Sequence, residues 1–208
     1  MIKTRILSIN DPQAIPASKR IIQQGGLIAF PTDTIYGVAC DVFNPQAIEA
    51  IYAAKGRPVE KALPVLIGDY HQLAELILNP DRRLERITAA FWPGPLTLVL
   101  RKNHKIPHQL SADVTIGVRM PNLDFTLTLL RETGPLATTS ANRFRGPNPV
   151  DANDVIAQLG GRIDLLIDGG VTPGQTASTV ADLTGRDIRI LRPGSISLAD
   201  LQSVAIDE

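Results

Sequence analysis

The sequence predicts an α/β domain in which helices flank a twisted, mixed sheet. Three observations carry this expectation. Short apolar runs of strand length alternate with longer segments whose apolar residues recur at helical spacing. The last two strand candidates, 179–183 and 188–191, are separated by only Thr184, Gly185, Arg186 and Asp187, too few for a crossover, so they must pair antiparallel. No internal repeat or low-complexity linker divides the 208 residues, so a single domain over 1–208 is expected.

Taken in order, the first helix is predicted over 12–24, with Ile15, Ile21 and Ile22 on one stripe and Gly25 and Gly26 as its stop. The apolar run 26–30, closed by Pro31, reads as a buried strand opening into the loop Pro31-Thr32-Asp33-Thr34-Ile35-Tyr36-Gly37. Asn44 as N-cap, Pro45 at the first helical position, and Ile48, Ile51 and Tyr52 at helical spacing predict a helix that ends at Lys55 and Gly56. Lys55-Gly56-Arg57-Pro58 therefore lies at a helix exit.

A strand is expected at 63–67 and helices at 70–78 and 81–91, the second closed by Trp92-Pro93-Gly94-Pro95. Strands follow at 96–100 and 115–120, then a helix at 122–132 with Gly134 as its stop. A strand at 136–139 runs into Ser140-Ala141-Asn142. A helix at 152–159, a strand at 164–167, the two closing strands and a short helix from Leu198 complete the chain.

The 21 basic and 21 acidic residues cancel, which argues against a nucleic-acid coat or a polybasic membrane anchor and makes any positive site local. Cys40, the single cysteine, cannot form an intrachain disulfide; it reads as a small core hydrophobe in a reducing compartment, and a cytoplasmic location is expected. No window approaches the roughly 20 apolar residues of a spanning helix, so neither export nor membrane insertion is expected.

Chemistry-bearing residues concentrate at the exits of strands and helices. Lys55, Arg57 and Arg192 could engage phosphate oxygens of a ligand, the arginines as planar forks and the lysine as a point charge. Ser140 and Asn142 alternate onto one side of a strand end, where hydroxyl and carboxamide can face a nucleotide. Residues 169–176 run G-x-x-x-x-G-Q-T, but Gln175 stands where a phosphate loop has lysine and a strand follows, so a phosphate loop is rejected. His104 and His108 have metal-like spacing without further ligands nearby. Asp33, Asp41 and Asp182 read as caps and turn residues, and no nucleophile motif is present.

Five clusters, Pro31 to Gly37, Lys55 to Pro58, Gly117-Val118-Arg119-Met120-Pro121, Thr138-Thr139-Ser140-Ala141-Asn142 and Ala177-Ser178-Thr179-Val180-Ala181-Asp182 with Arg192-Pro193-Gly194, together resemble the motif series of the YrdC/YciO family, in its threonylcarbamoyl-adenylate synthase branch. The motif core spans about 12–194. The resemblance implies a YrdC-like fold with an open concave active-site face. It implies catalytic Lys55 and Arg57, an ATP site of these two with Lys61, Thr115, Ser140, Asn142, Asn148 and Arg192, and a threonine site of Thr34, Tyr36, Arg119, Thr138 and Ser178.

The implied reaction joins ATP, L-threonine and bicarbonate, with magnesium on the nucleotide and no protein ligand named for it. The implied partner is a transferase complex that modifies tRNA. Two rivals accompany this reading: a tRNA- or double-stranded-RNA-binding module, disfavoured by neutral charge and only 4% aromatic residues, and a YciO-like paralogue of different substrate. The chain departs from the commonest pattern at Lys61 and Leu66, where many relatives carry asparagine and histidine, and at Phe144-Arg145, where the family usually has a Ser-Gly pair.

Overall fold

The computed structural model describes residues 3–174 and 176–205. Gln175, the residue standing in the place of a phosphate-loop lysine, lies outside them. Ten strands form one mixed sheet: β1 (Arg5–Ser8), β2 (Ile28–Phe30), β3 (Gly37–Asp41), β4 (Val65–Leu66), β5 (Leu96–Arg101), β6 (Thr115–Arg119), β7 (Leu136–Ser140), β8 (Leu165–Asp168), β9 (Thr179–Asp182) and β10 (Arg189–Arg192). Their spatial order is β1-β8-β2-β3-β7-β4-β6-β5-β9-β10. Pairing is parallel for β1 with β8, β2 with β8, β4 with β6 and β5 with β9, and antiparallel elsewhere. The short turn between β9 and β10 makes the antiparallel hairpin that its length demands.

Seven helices accompany the sheet: α1 (Ala14–Gln23), α2 (Pro45–Lys55), α3 (Leu73–Leu76), α4 (Arg82–Phe91), α5 (Asp124–Thr133), α6 (Ala152–Leu159) and α7 (Leu198–Ala205). The capping chemistry read from the sequence is in place. Asn44 accepts from the Ala47 amide ahead of Pro45, and Gly56 closes α2 in the left-handed region at φ 62°. Apolar stripes feed two buried clusters. One holds Ile48 and Ile51 of α2 with Val38 and Cys40 of β3; the other packs Ala14 and Ala17 of α1 and Leu129 and Leu130 of α5 against Ile28 and Phe30.

The structure corrects three local readings. The expected strand at 63–67 shrinks to Val65–Leu66, because Leu63 N turns to Leu110 O and Pro64 has no N–H to give. The expected helix at 70–78 splits into a 3-10 turn, Tyr70–Gln72, and the single turn α3, after which Ile77 extends into a bridge with Lys102. Strands β1 and β3 add to those expected. The small, wholly buried residues Gly37 to Cys40 carry no alternation, so β3 has no period-2 signature despite pairing on both sides.

Close helix–sheet approach makes Gly68 a sensitive position. A Cβ there would lie 2.5 Å from Leu127 O and 2.8 Å from both Arg131 N and Leu130 Cβ, all on α5. Gly68→Ala should therefore push α5 outward and lower stability by about 1–3 kcal/mol, the usual cost of overpacking. A fall in the urea midpoint with an unchanged denaturant slope would report it; an unchanged midpoint would show that α5 yields freely.

Candidate functional site

The site gathers around the exits of several strands of the sheet, β7 among them. At the exit of β7, the loop Ser140-Ala141-Asn142 meets the last residue of α2. Lys55 is only 2% exposed, and its ammonium donates to Ser140 O, Asn142 O and, at 3.1 Å, Asn142 Oδ1. Burial, reinforced by the Arg57 charge, pulls its pKa down to about 7. Three acceptors offset that cost, because only the ammonium form has three N–H groups to give. Asn142 in turn accepts from Ser140 Oγ at 2.6 Å and donates to Gly146 O at 2.7 Å. Lys55 and Asn142, expected on the nucleotide, thus lie behind the wall and hold its shape.

In front of that wall opens a cleft of about 400 Å³. Arg57, Ser140, Asn148 and Arg192 are among the residues that line it. Arg57 is positioned by its own loop, donating to Lys61 O at 3.2 Å and Ala62 O at 3.1 Å. Arg192 wraps the carbonyl of Ser178 with Nε at 3.0 Å and Nη2 at 2.8 Å. Thr115 and Lys61 do not line the cleft: Thr115 stands at the start of β6, and Lys61 sits 5.7 Å over the Phe144 ring.

Another part of the lining is a wall of hydroxyls around one guanidinium. Arg119 is buried, with Nε on Gly94 O at 2.9 Å, Nη1 on Thr34 Oγ1 at 2.8 Å and Nη2 on Asp33 Oδ1 at 2.5 Å. Burial pulls this guanidinium down and the Asp33 charge opposes it. Each terminal nitrogen keeps one further N–H, the pair that a carboxylate engages. Asp33, read as a turn residue, is instead the counter-charge of Arg119. Asp41 and Asp182 do serve turns, through Phe43 N and Thr184 N.

Thr34 bonds Thr32 at 2.9 Å, Ser178 bonds Thr97 at 2.8 Å, and Thr138 completes the wall while donating to Leu136 O. Thr32 and Thr97 were not among the expected residues; a threonine inside the apolar run 96–100 was the available signal for Thr97. Tyr36 lines the cleft, but its hydroxyl is consumed by a latch. It donates to Gly170 O at 2.7 Å and accepts from Gly169 N at 3.0 Å, and burial pushes it up to about 12.

Among the described residues no group of three or more His, Cys, Asp and Glu could hold a metal, and no helix is long and apolar enough to cross a membrane.

Comparison with known proteins finds relatives over most of the chain. Residues 20–194 match the Sua5, YciO and YrdC family model, described as telomere recombination. A Pyrococcus abyssi threonylcarbamoyl-AMP synthase is 38% identical over 185 residues, covering 88% of this chain and 54% of that protein. A Bacillus subtilis threonylcarbamoyl-AMP synthase is 37% identical over 201 residues, covering 95% and 58%. A crystal structure of P. abyssi Sua5 complexed with L-threonine superposes with a TM-score of 0.90 at 35% identity, covering 98% of this chain and 60% of that one. The chain thus spans somewhat over half the length of these relatives.

The clamp gives a direct test of the wall. Lys55→Met keeps the aliphatic stem but leaves buried oxygens without their donor, and should cost about 3 kcal/mol in chemical denaturation. A loss of activity with no loss of stability would instead place Lys55 on substrate.

Proposed function

The chain belongs to the Sua5–YciO–YrdC family, and from that premise we propose that it is a nucleotidyltransferase condensing ATP, L-threonine and bicarbonate into threonylcarbamoyl-adenylate and pyrophosphate. The observation that carries this reading is one cleft lined by the cations Arg57 and Arg192 with Ser140 and Asn148, and by Arg119 among threonine and serine hydroxyls. The P. abyssi relative complexed with L-threonine, alike over nearly the whole of this chain, supports threonine as the amino acid.

The hydroxyl-lined part suits an amino acid. The spare N–H groups of Arg119 meet the carboxylate, while Thr34, Thr138 and Ser178 can bond a β-hydroxyl or the ammonium. The deprotonated amine attacks the carbon of carbon dioxide supplied by bicarbonate, forming an N–C bond and releasing the amine proton to solvent. A carbamate oxygen then attacks the α-phosphorus; the new O–P bond forms as the bond to the β-phosphate oxygen breaks, and pyrophosphate leaves with the electron pair. Arg57 and Arg192 neutralise charge on the phosphates, and the walls hold the two reacting ends together and limit water.

Magnesium would arrive on the nucleotide and neutralise phosphate charge; no protein ligand is assigned, since Asp33 is already committed to Arg119. The mixed anhydride so formed is an activated carbamoyl donor, and a transferase that places it on tRNA is the consumer we propose.

Pyrophosphate release should require L-threonine and bicarbonate together with ATP; ATP turnover indifferent to threonine would overturn the assignment. Arg57→Ala should lower turnover at least about a hundredfold while the fold persists, the usual worth of one charge-directed transition-state contact. A folded, fully active variant would reduce Lys55-Gly56-Arg57 to a helix end.

A further inference from the structure

The hydroxyls of the cleft are bonded to one another and to the backbone, and those bonds fix where each hydroxyl hydrogen points. Thr32 is buried and lines the cleft beside Thr34. Its Oγ1 lies 2.7 Å from Ile35 O and 2.9 Å from Thr34 Oγ1. Each of these oxygen–oxygen contacts needs a hydrogen between its atoms, and a carbonyl has none to give. The Thr32 hydrogen therefore goes to Ile35 O, and Thr34 must donate to Thr32. The amides of Thr34 and Ile35, at 3.1 and 3.3 Å from Thr32 Oγ1, hold that oxygen in place.

Thr34 Oγ1 also accepts from Arg119 Nη1 at 2.8 Å. With its hydrogen on Thr32 and one lone pair on Arg119, it has a single lone pair left for a ligand. Thr138 is committed in the same sense, because its hydroxyl donates to Leu136 O at 3.0 Å and only its lone pairs remain. Thr97 and Ser178, joined at 2.8 Å while Arg192 Nη2 donates to Ser178 Oγ at 3.1 Å, use one of their two hydroxyl hydrogens on each other. The hydroxyl wall is thus rich in acceptors and poor in donors. A ligand that brings only lone pairs to it leaves buried oxygens unpaired, which is unfavourable beyond the mere loss of a bond.

We propose that Thr32 is a positioning residue that holds Thr34 as a pure acceptor, so that the cleft selects an amino acid whose side chain has a hydroxyl hydrogen to donate. This selection rests on the reading of the chain as a synthase. The side-chain hydroxyl is the fitting donor because the reaction leaves it unchanged, whereas the amine gives up protons as it becomes the carbamate. An amino acid of the same shape with fluorine in place of the hydroxyl has no hydrogen to offer Thr34.

The test is calorimetric titration of L-threonine, and of its analogue with fluorine in place of the hydroxyl, into the full chain and its variants without ATP. The wild type should prefer L-threonine about tenfold, the worth of one buried hydrogen bond. Thr32→Val should weaken L-threonine and bring the preference below about threefold, because Thr34 then recovers a hydrogen that it can turn toward fluorine. Thr32→Ser, which keeps the hydroxyl, should retain the wild-type preference. A role in loop stability alone would weaken both compounds alike and leave their ratio unchanged. Should Thr32→Val unfold, Thr32→Ala, which sets no methyl group against Ile35 O, reports the same ratio.

Equal wild-type affinity for the two compounds would overturn the proposal, as would an undiminished preference in a folded Thr32→Val or Thr32→Ala chain. Failure of the synthase reading is distinguishable: it is a wild-type chain whose pyrophosphate release ignores threonine, whichever compound binds more tightly.

Discussion

The wall at the exit of β7 depends on one buried ammonium. Lys55 closes α2 from the inside, and its contacts with Ser140 O, Asn142 O and Asn142 Oδ1 fasten the exit of β7 to the exit of the helix. Two loops far apart in sequence thereby become one wall. Placing a charge where water cannot reach it is costly, and the cost is met by acceptors whose geometry is then narrowly specified. Asn142 relays that order to the turn at Gly146, and the Phe144 amide returns it to Lys55. The cleft-lining Arg57 stands two residues beyond the lysine that holds this frame.

The hydroxyl-lined part of the cleft uses the same device with a different pair. Arg119 is sunk at the end of β6 and would be an uncompensated charge without Asp33, so the loop between β2 and β3 is bound to β6 wherever Arg119 is. Strands β5 and β9, parallel and in register, carry Thr97 and Ser178 to the same wall, and Arg192 of β10 reaches across to the Ser178 carbonyl. Tyr36 latches the following loop at Gly169 and Gly170. Polar groups line this part in number, yet most are already bonded to one another. A ligand therefore meets a preorganised surface, with little side-chain freedom left to lose.

Much was legible without coordinates. The caps at Asn44 and Gly56 and the short β9–β10 connection report local chemistry, and each appears in the structure as read. Of the cleft-lining residues, Arg57, Ser140 and Arg192 could be read as polar or cationic groups at element ends, whereas Thr34, Tyr36, Arg119, Thr138, Asn148 and Ser178 were implied only by the family resemblance. Strand β3 could not be read, since a strand buried on both faces has no alternation, and α3 could not be separated from its 3-10 turn, since helical periodicity survives a change of hydrogen-bond register.

The sequence by itself determined which chemical groups this protein has and at which element ends they stand. Only the tertiary structure decided their division of labour. Lys55 and Arg57 are neighbours in one motif, yet the first turns inward to carbonyl oxygens and the second lines the cleft. Asp33 looks like any loop aspartate until Arg119 arrives from 86 residues away. Burial and partnership are properties of where distant segments meet. A charge acts on a ligand only when no nearer group has claimed it, and long-range packing sets which groups are near.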